Sequence, residues 1–179
     1  MSSMTALHVP HDGWTTDDLP DVDFRYELVD GALLVTPPPE LPHVEIAESL
    51  GDLLKPLLPP GWRKATDPGV FFDRRNYREP DLVLYLPSAR GKTRLTAADV
   101  VLAVEVVSPG SRANDRVAKP AQYAAAGIPH YWRIEQDPLE LVAHTLDGDV
   151  YREVGRFSDE VVLAAPFELR FRLSELVED

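Results

Sequence analysis

The feature that most constrains the fold is an eight-residue run, Val100–Val107, whose sequence VVLAVEVV is apolar on both sides of one acid. Dense β-branched residues favour a strand, and apolar residues at successive positions indicate a central strand that is buried on both faces. A carboxylate inside such a strand is costly unless it is paired or binds a metal ion. Glu105 is therefore the first candidate functional residue, although an edge strand or an ion pair with an arginine would also account for it.

The rest of the chain predicts a mixture of strands and helices around this run. Apolar residues recur at helical spacing over residues 43–58, and a second helix is predicted to follow residue 111 and to reach about residue 126. Further strands are predicted at Arg25–Val29, Ala32–Thr36, Val70–Phe72, Asp81–Leu86, His130–Ile134, Leu139–Thr145 and Val150–Val154. This order predicts a mixed α/β or α+β fold. For 179 residues we expect a flexible tail over residues 1–14 and a single domain over residues 15–179.

The composition excludes several classes of protein. The chain has no cysteine, which excludes disulfides, thiolate metal sites and cysteine nucleophiles and suits a reducing compartment. Its uncharged apolar runs are far shorter than the roughly 20 residues that a membrane-spanning helix needs. We therefore expect a cytoplasmic protein without a membrane partner.

The charge balance argues against a protein that coats nucleic acid by charge alone. The chain has 18 basic and 30 acidic residues, a net charge of −12. The distribution is uneven, because residues 63–119 have a local balance of +4 and the remainder has −16. These basic residues are interpreted as solvated loop charges unless chemistry lies in the same stretch.

Two further acids are placed where they could act together with Glu105. Asp81 follows Glu79 and Pro80 and stands at the start of the apolar strand LVLYL. Neighbouring strands lie about 4.8 Å apart, so carboxylates on adjacent strands can share a divalent cation. Glu27, inside the first predicted strand, is a candidate third oxygen ligand, unless it is a solvent-facing acid on a hairpin.

Lys119 is the candidate cation of this set. In the second predicted helix it lies one helical turn from Asp115 and Tyr123, although an ordinary exposed lysine is the simpler interpretation of Lys119 alone. Hard oxygen ligands hold Mg²⁺ or Mn²⁺, and such a metal polarises a phosphoryl oxygen and lowers the pKa of bound water. A nearby lysine can orient the attacking water and offset the charge that develops in the transition state.

These residues belong to a longer pattern that resembles a known family. The pattern comprises EVVSPGSRANDRVAKPAQYAAAGIPHYW at residues 105–132, YELVDG at residues 26–31 and EPD at residues 79–81. Over residues 15–177 the chain resembles the Uma-type bacterial restriction endonucleases of the PD-(D/E)XK nuclease superfamily. The resemblance implies a restriction-endonuclease-like core, in which a central mixed β-sheet is flanked by helices, with N-terminal and C-terminal β-hairpins. It also implies a metal-dependent endonuclease that hydrolyses phosphodiester bonds in nucleic acid.

The resemblance also implies a role for each acid. Asp81 and Glu105 correspond to the two motif acids that bind Mg²⁺ or Mn²⁺, and Glu27 is an additional acid that assists them. The backbone carbonyl of Val106 is a further metal ligand. The implied substrate is double-stranded DNA, and a homodimer is expected because the two strands of a duplex need two sites.

The lysine of the pattern is displaced in this chain. The superfamily usually has a lysine two residues after the second acid, where this chain has Val107. Uma-type proteins supply it from the following helix instead, which corresponds to Lys119. Pro120 follows directly, and proline disfavours helical geometry in the residue before it. Either the helix begins near Lys119 or it is kinked there.

Two alternative hypotheses therefore remain open. Val107 and Pro120 favour a binding or regulatory module that keeps the fold but cuts inefficiently or not at all. The third hypothesis is a metal hydrolase for a smaller phosphate substrate, although the short loops offer no obvious nucleotide pocket. Three other residues have secondary roles: His43 is expected to fix a helix end rather than to contact the substrate phosphate, and Ser108 and Asp115 to shape the loop and cap the helix.

Overall fold

The computed structural model describes residues 11–19, 25–111 and 113–177. Within these residues the helices are α1 (Leu41–Leu54) and α2 (Lys119–Ala125). The strands are β1 (Tyr26–Val29), β2 (Ala32–Val35), β3 (Arg63–Thr66), β4 (Val70–Asp73), β5 (Asn76–Arg78), β6 (Leu82–Tyr85), β7 (Leu95–Thr96), β8 (Val100–Val107), β9 (His130–Gln136), β10 (Leu139–Asp147), β11 (Val150–Phe157), β12 (Glu160–Leu163) and β13 (Leu169–Arg172). None of the helices in the described ranges is long and apolar enough to span a membrane.

Six strands form the central sheet, in the order β11-β10-β9-β8-β6-β3. The β8–β9 pair is parallel and the other pairs are antiparallel, so the sheet is mixed, as predicted. Strand β8 lies in the interior of the sheet, and all eight of its residues are buried. The prediction of a central strand buried on both faces is confirmed.

The two faces of the central sheet are covered by different helices. On one face Leu50 of α1 shares a buried apolar cluster with Leu102 of β8. On the other face Tyr123 of α2 shares a second cluster with Ala103. Side chains alternate between the faces along a strand. Glu105, two residues after Ala103, therefore points to the α2 face.

The predicted hairpins are present at both ends of the domain. Strands β1 and β2 pair through a tight turn at Asp30 and Gly31, whose φ angles are +50° and +83°. Both angles lie in the left-handed region, which suits Asp-Gly in a two-residue hairpin turn. This hairpin extends a second sheet, in the order β2-β1-β5-β4-β7, and β12 pairs with β13 in the C-terminal hairpin.

The first helix is shorter than predicted because of its prolines. It begins at Leu41 with Pro42 in the first turn, where the missing N–H has no helical partner to lose. The α-helix ends at Leu54, and Lys55–Leu57 continue it as a 3-10 turn that contains Pro56. Proline cannot donate the N–H that a further α-helical turn requires.

The start of the domain is only partly described. Residues 1–10 of the predicted flexible tail lie outside the described residues. Trp14, which the prediction places in that tail, is 7% exposed and packs in a cluster with Leu28 and Tyr77. Its N–H donates to the carbonyl of Gly31 at 2.8 Å. The segment at Trp14 is therefore attached to the N-terminal hairpin.

Candidate active site

Two of the predicted acids lie next to each other at one end of the central strands, where β6 begins and β8 ends. In the antiparallel register of these strands Leu82 lies opposite Val104, so Asp81, one residue earlier, faces Glu105, one residue later. The N–H of Val106 donates to Asp81 Oδ2 at 2.7 Å and fixes that carboxylate against the end of β8. Asp81 is 4% exposed and Glu105 is 1% exposed.

Lys119, the predicted cation, contacts the second of these acids directly. Its Nζ lies 2.7 Å from Glu105 Oε2, and the hydroxyl of Tyr123, one turn further along α2, donates to Oε1. The same Nζ lies 3.4 Å from Asp115 Oδ1 and 3.6 Å from Glu27 Oε1. The lysine is thus a buried ammonium that three carboxylates share.

Pro120 does not displace this amine, because the helix is built around the proline. Asn114–Ala118 form a single π-helical turn, and α2 begins at Lys119 with Pro120 in its first turn. The carbonyl of Asp115 lies five residues before the proline and receives no N–H from it. It accepts the hydroxyl of Tyr131 instead. Of the two alternatives, the structure has a helix that begins at Lys119.

Glu27, the predicted third acid, lies on β1 and is held by an arginine. With Asp81, Glu105, Asp115 and Lys119 it forms the acidic cluster. Arg78 of β5 donates to Glu27 Oε2, and the N–H of Glu79 donates to Oε1 at 3.2 Å. Arg78 Nε also donates to Gln122 Oε1 at 2.7 Å, so the guanidinium connects the second sheet to α2. Arg78 belongs to the basic stretch of residues 63–119, whose charges are predicted to be solvated, but in the structure it is buried in β5. Glu27 could have indicated this burial from the sequence, because a buried carboxylate needs a cationic partner.

The other oxygen of Asp81 is approached from outside the central sheet. His43 Nε2 lies 3.0 Å from Asp81 Oδ1, but the two are not aligned as a hydrogen bond, and this buried nitrogen has no hydrogen-bond partner among the described residues. Arg25 Nη2 lies 3.7 Å from the same oxygen, and Arg25 also pairs with Asp67 at 3.0 Å. His43, expected to fix a helix end, thus lies beside the first acid.

The cluster contains more carboxylates than cations, and its pKa values reflect this excess. Burial raises the pKa of Glu105 well above its usual range, and the charges of Asp81, Asp115 and Glu27 add to the increase against the attraction of Lys119. Burial opposes the charge of Lys119, but the surrounding carboxylates outweigh burial and raise the pKa of this lysine. The lysine therefore stays protonated, and the site as a whole favours an additional cation.

Asp81 behaves differently from Glu105 although both are buried. Burial raises the pKa of Asp81, but the nearby His43 and Lys119 and the Val106 N–H together lower it below the usual value. One acid of the pair is thus held as a carboxylate, while the other takes up a proton more readily. Such a contrast between adjacent carboxyl groups is common at active sites.

The donor set fits a divalent metal ion in its chemistry. The predicted ligands are all oxygen atoms, which Mg²⁺ and Mn²⁺ prefer. Glu105 accepts two hydrogen bonds, and a carboxylate has about four acceptor positions, so it can still bind a cation. Asp115 Oδ1 is buried without a hydrogen-bond partner among the described residues. As these side chains stand, no three of the histidines and acids in the described ranges are grouped to hold a metal.

The residues that follow Glu105 form a tight loop before the helix. Val107, at the usual position of the lysine, is 3% exposed, and its carbonyl accepts Gln136 Nε2 at 2.9 Å. Ser108 and Ser111 hydrogen-bond each other through side chains and backbone. A lysine at position 107 would lie on the same face of β8 as Glu105, because residues two apart in a strand share a face. In this chain α2 supplies Lys119 to that face instead.

Residues 16–174 match a sequence family described as "Uma2: Putative restriction endonuclease". The chain belongs to the Uma2 family. The resemblance seen in the sequence is thus confirmed, and the family supports a nuclease that acts on nucleic acid. Restriction-endonuclease-like families generally use divalent metal ions. None of the curated proteins matches the chain.

The fold of this Uma2 protein is similar to a solved structure from Anabaena variabilis ATCC 29413, described as "a putative nuclease belonging to DUF820". The TM-score is 0.72, and the match covers 90% of this chain and 96% of the other. Only 18% of the residues are identical, so the likeness shows the fold. The predicted fold class is confirmed.

Proposed function

We propose that this Uma2 protein is a metal-dependent endonuclease that hydrolyses phosphodiester bonds in DNA. One observation supports the proposal most strongly: Asp81 and Glu105 face each other from adjacent strands, with the ammonium of Lys119 on Glu105. Two acids can hold the divalent ion of a metal-assisted hydrolysis, and a nearby ammonium can stabilise the charge that develops on the phosphate. The family and the fold favour the same chemistry.

In this proposal Asp81 and Glu105 hold Mg²⁺ or Mn²⁺ together with the backbone carbonyl of Val106, and Glu27 assists from β1. A divalent ion at this place polarises a phosphoryl oxygen and lowers the pKa of water. The protein supplies the positioning. The Val106 N–H fixes the Asp81 carboxylate, and Arg78 fixes Glu27.

Lys119 is proposed to orient the attacking water and to offset negative charge as the phosphate is attacked. Its buried position between three carboxylates keeps it charged, because those carboxylates raise its pKa. Tyr123 holds the other oxygen of Glu105 and limits how far that side chain can turn. A fixed ammonium in a site with little water is an effective stabiliser of developing charge.

The substrate and the assembly are proposed more specifically as double-stranded DNA and a homodimer. A duplex has two strands, so two copies of a single site are needed to cut both. A dimer would convert supercoiled plasmid directly to linear DNA, whereas a monomer would accumulate nicked circles. Size-exclusion chromatography of the purified protein tests the dimer independently of cleavage.

The absence of cysteine supports a cytoplasmic location.

The decisive experiment incubates supercoiled plasmid with Mg²⁺ or Mn²⁺ and the wild type, Asp81→Asn or Glu105→Gln. We expect cleavage by the wild type and a loss of about 100-fold or more in each variant, because each removes a charged ligand. Glu140→Gln is the matched control. It removes a carboxylate that is 23% exposed, pairs with Arg156 of β11 and lies outside the cluster.

Metal removal and a second substrate complete the test. Chelation with EDTA should abolish cleavage by the wild type, and excess metal should restore it. An RNA of the same sequence, assayed in parallel, separates a DNA-specific nuclease from a general one. If the wild type cuts no better than the two variants with either metal, the proposal is wrong and the chain is a binding or regulatory module on this fold.

A further inference from the structure

A surface groove of about 790 Å³ lies outside the acidic cluster. Four cationic side chains line it, namely Arg63, Arg90, Lys92 and Arg94. All four are exposed, and no acidic residue is among the described residues that line the groove. They come from the basic stretch of residues 63–119, which sequence alone would leave as scattered loop charges.

Most of this positive charge is not neutralised by neighbouring acids. Lys92 pairs with Asp99 at 2.6 Å, but Arg63 and Arg90 form no ion pair with any described residue. The guanidinium of Arg94 lies 4.8 Å from the centroid of the Phe71 ring, a cation–π contact that does not cancel its charge. In a chain with a net charge of −12, three unpaired arginines around one groove form a local site for an anion.

The groove adjoins the acidic cluster. Pro68 and Gly69 line the groove, and the residue before them, Asp67, donates its N–H to the carbonyl of Asp81 at 3.0 Å. Tyr77 also lines the groove, and its hydroxyl donates to the carboxylate of Glu79, the residue two before Asp81.

The far end of the groove can be placed along β6. Asp81 precedes this strand, and Tyr85 ends it beside Arg63, its cross-strand partner. At about 3.3 Å per residue the groove therefore reaches roughly 13 Å from the first acid. A strand of duplex DNA rises about 3.4 Å per nucleotide, so this distance corresponds to roughly four nucleotides.

We propose that this groove binds the sugar-phosphate backbone of a nucleic-acid strand on one side of the bond that is cut. The inference rests on the proposed action on nucleic acid and names the surface that holds the substrate. Exposed arginines at the rim suit phosphates of an extended polymer, which they can meet one after another. Contacts of this kind give affinity that depends on salt and little on base sequence. They also offset the repulsion of the polyanion by the acidic remainder of the chain.

The test measures binding in the absence of cleavage. Fluorescence anisotropy follows a fluorescein-labelled DNA duplex, and separately its single strand, with protein in EDTA over a series of salt concentrations. Arg63→Gln/Arg90→Gln should weaken binding by roughly 10- to 100-fold at 0.1 M salt and reduce the slope of log K against log salt by about 2, since two phosphate contacts are lost. The matched control, Arg152→Gln/Arg170→Gln, removes the same charge from exposed arginines that pair with Asp147 and Glu160.

The outcomes separate this inference from the proposed function. Equal loss of affinity in both double variants would mean that only net charge matters, and equal affinity of the groove variant and the wild type would place the substrate elsewhere. Either result overturns the inference, as does a wild type that binds neither DNA form. Salt-dependent binding through Arg63 and Arg90 by a protein that never cuts would support the groove while the nuclease proposal fails. The duplex and single-strand arms identify which form the groove prefers.

Discussion

The two faces of the central sheet use the same strands but differ in chemistry. On the α1 face a large cluster of buried apolar residues includes Leu50, Leu102 and Val104. On the α2 face β8 presents Glu105, and the buried Lys119 lies against it. Strand β8 thus separates an apolar layer from a charged one.

The apolar face stabilises the fold, whereas the charged face contributes to function. Each CH₂ group buried on the α1 face contributes about 0.8 kcal/mol to folding. A buried ion pair contributes little, because the cost of removing both charges from water offsets most of their attraction. The charged face is therefore explained by chemistry rather than by a net gain in stability, and substitutions on the two faces should differ in their effect on cleavage.

Removal of the lysine should give the largest effect. In Lys119→Met the carboxylates of Glu105 and Glu27 lose their shared cation, so we expect a loss of about 3–5 kcal/mol in the free energy of unfolding. Cleavage should fall by about 100- to 10,000-fold, because the water and the developing charge lose their ammonium. Urea denaturation and plasmid cleavage measure the two effects.

A double variant sharpens this prediction. Lys119→Met/Glu105→Gln removes both charges of the pair, so it should regain most of the stability that the single variant loses while remaining inactive. Recovery of stability without activity is the behaviour of a pair retained for chemistry. A double variant as unstable as Lys119→Met would contradict the view that Glu105 is the main partner of the lysine.

A substitution on the apolar face should lower stability and leave cleavage almost unchanged. Leu102→Ala opens a cavity beneath α1, and we expect it to reduce the free energy of unfolding by about 2–5 kcal/mol. Cleavage per folded molecule should stay within about twofold of the wild type, because Leu102 points away from Glu105. Assays at a temperature where both proteins are folded make the comparison. A loss of specific activity there would show that the two faces are coupled.

A smaller effect is expected at the hydroxyl that holds Glu105. Tyr123→Phe keeps the ring and removes only the hydrogen bond to Glu105 Oε1, so the free energy of unfolding should fall by about 1–2 kcal/mol. Cleavage should decrease less than in Lys119→Met, since the ammonium remains. Tyr151→Phe is the matched control, because that hydroxyl donates to the neutral carbonyl of Ile128. Equal effects on cleavage in both variants would remove Tyr123 from the site.

The sequence predicts the strands and the two facing acids because their signals are local. The apolar run around Glu105 and the position of Asp81 at a strand start are visible within a few residues. With the pairing of β6 and β8, the alternation of side chains then places both acids at one edge. The general fold and the principal pair are therefore accessible from sequence and resemblance.

The partners of these acids are harder to predict from the sequence because they depend on long-range packing. Arg78 lies 51 residues from Glu27, and no local pattern distinguishes it from the exposed arginines nearby. The position of Lys119 depends on one extra residue in the turn before α2, the π-helical turn that accommodates Pro120. The groove likewise brings Arg63 beside a loop that begins more than twenty residues later.

The smallest effect concerns a histidine behind the charged face. The ring centroid of His144 lies 5.6 Å from that of Tyr131, with the two rings tilted by 36°, and its Nδ1 is buried without a hydrogen-bond partner among the described residues. Burial, with the charge of Arg133, lowers the pKa of His144 below its ordinary value of 6.5. The folded protein therefore takes up this proton less readily than the unfolded chain does. The contribution of neutral His144 to the free energy of unfolding is complete above pH 6.5 and is lost as the pH falls through the lowered pKa.

His144→Gln should accordingly lose less stability on acidification than the wild type does. Urea denaturation above and below pH 6.5 measures the difference, and His11→Gln, which changes a fully exposed histidine, should follow the wild type. His130, whose pKa burial also lowers, remains in all three proteins, so the slope should decrease without disappearing. If the free energy of unfolding changed equally with pH in the wild type and in His144→Gln, burial of His144 would not oppose its protonation. The cost of burying charge would then be confined to the cluster around Glu105.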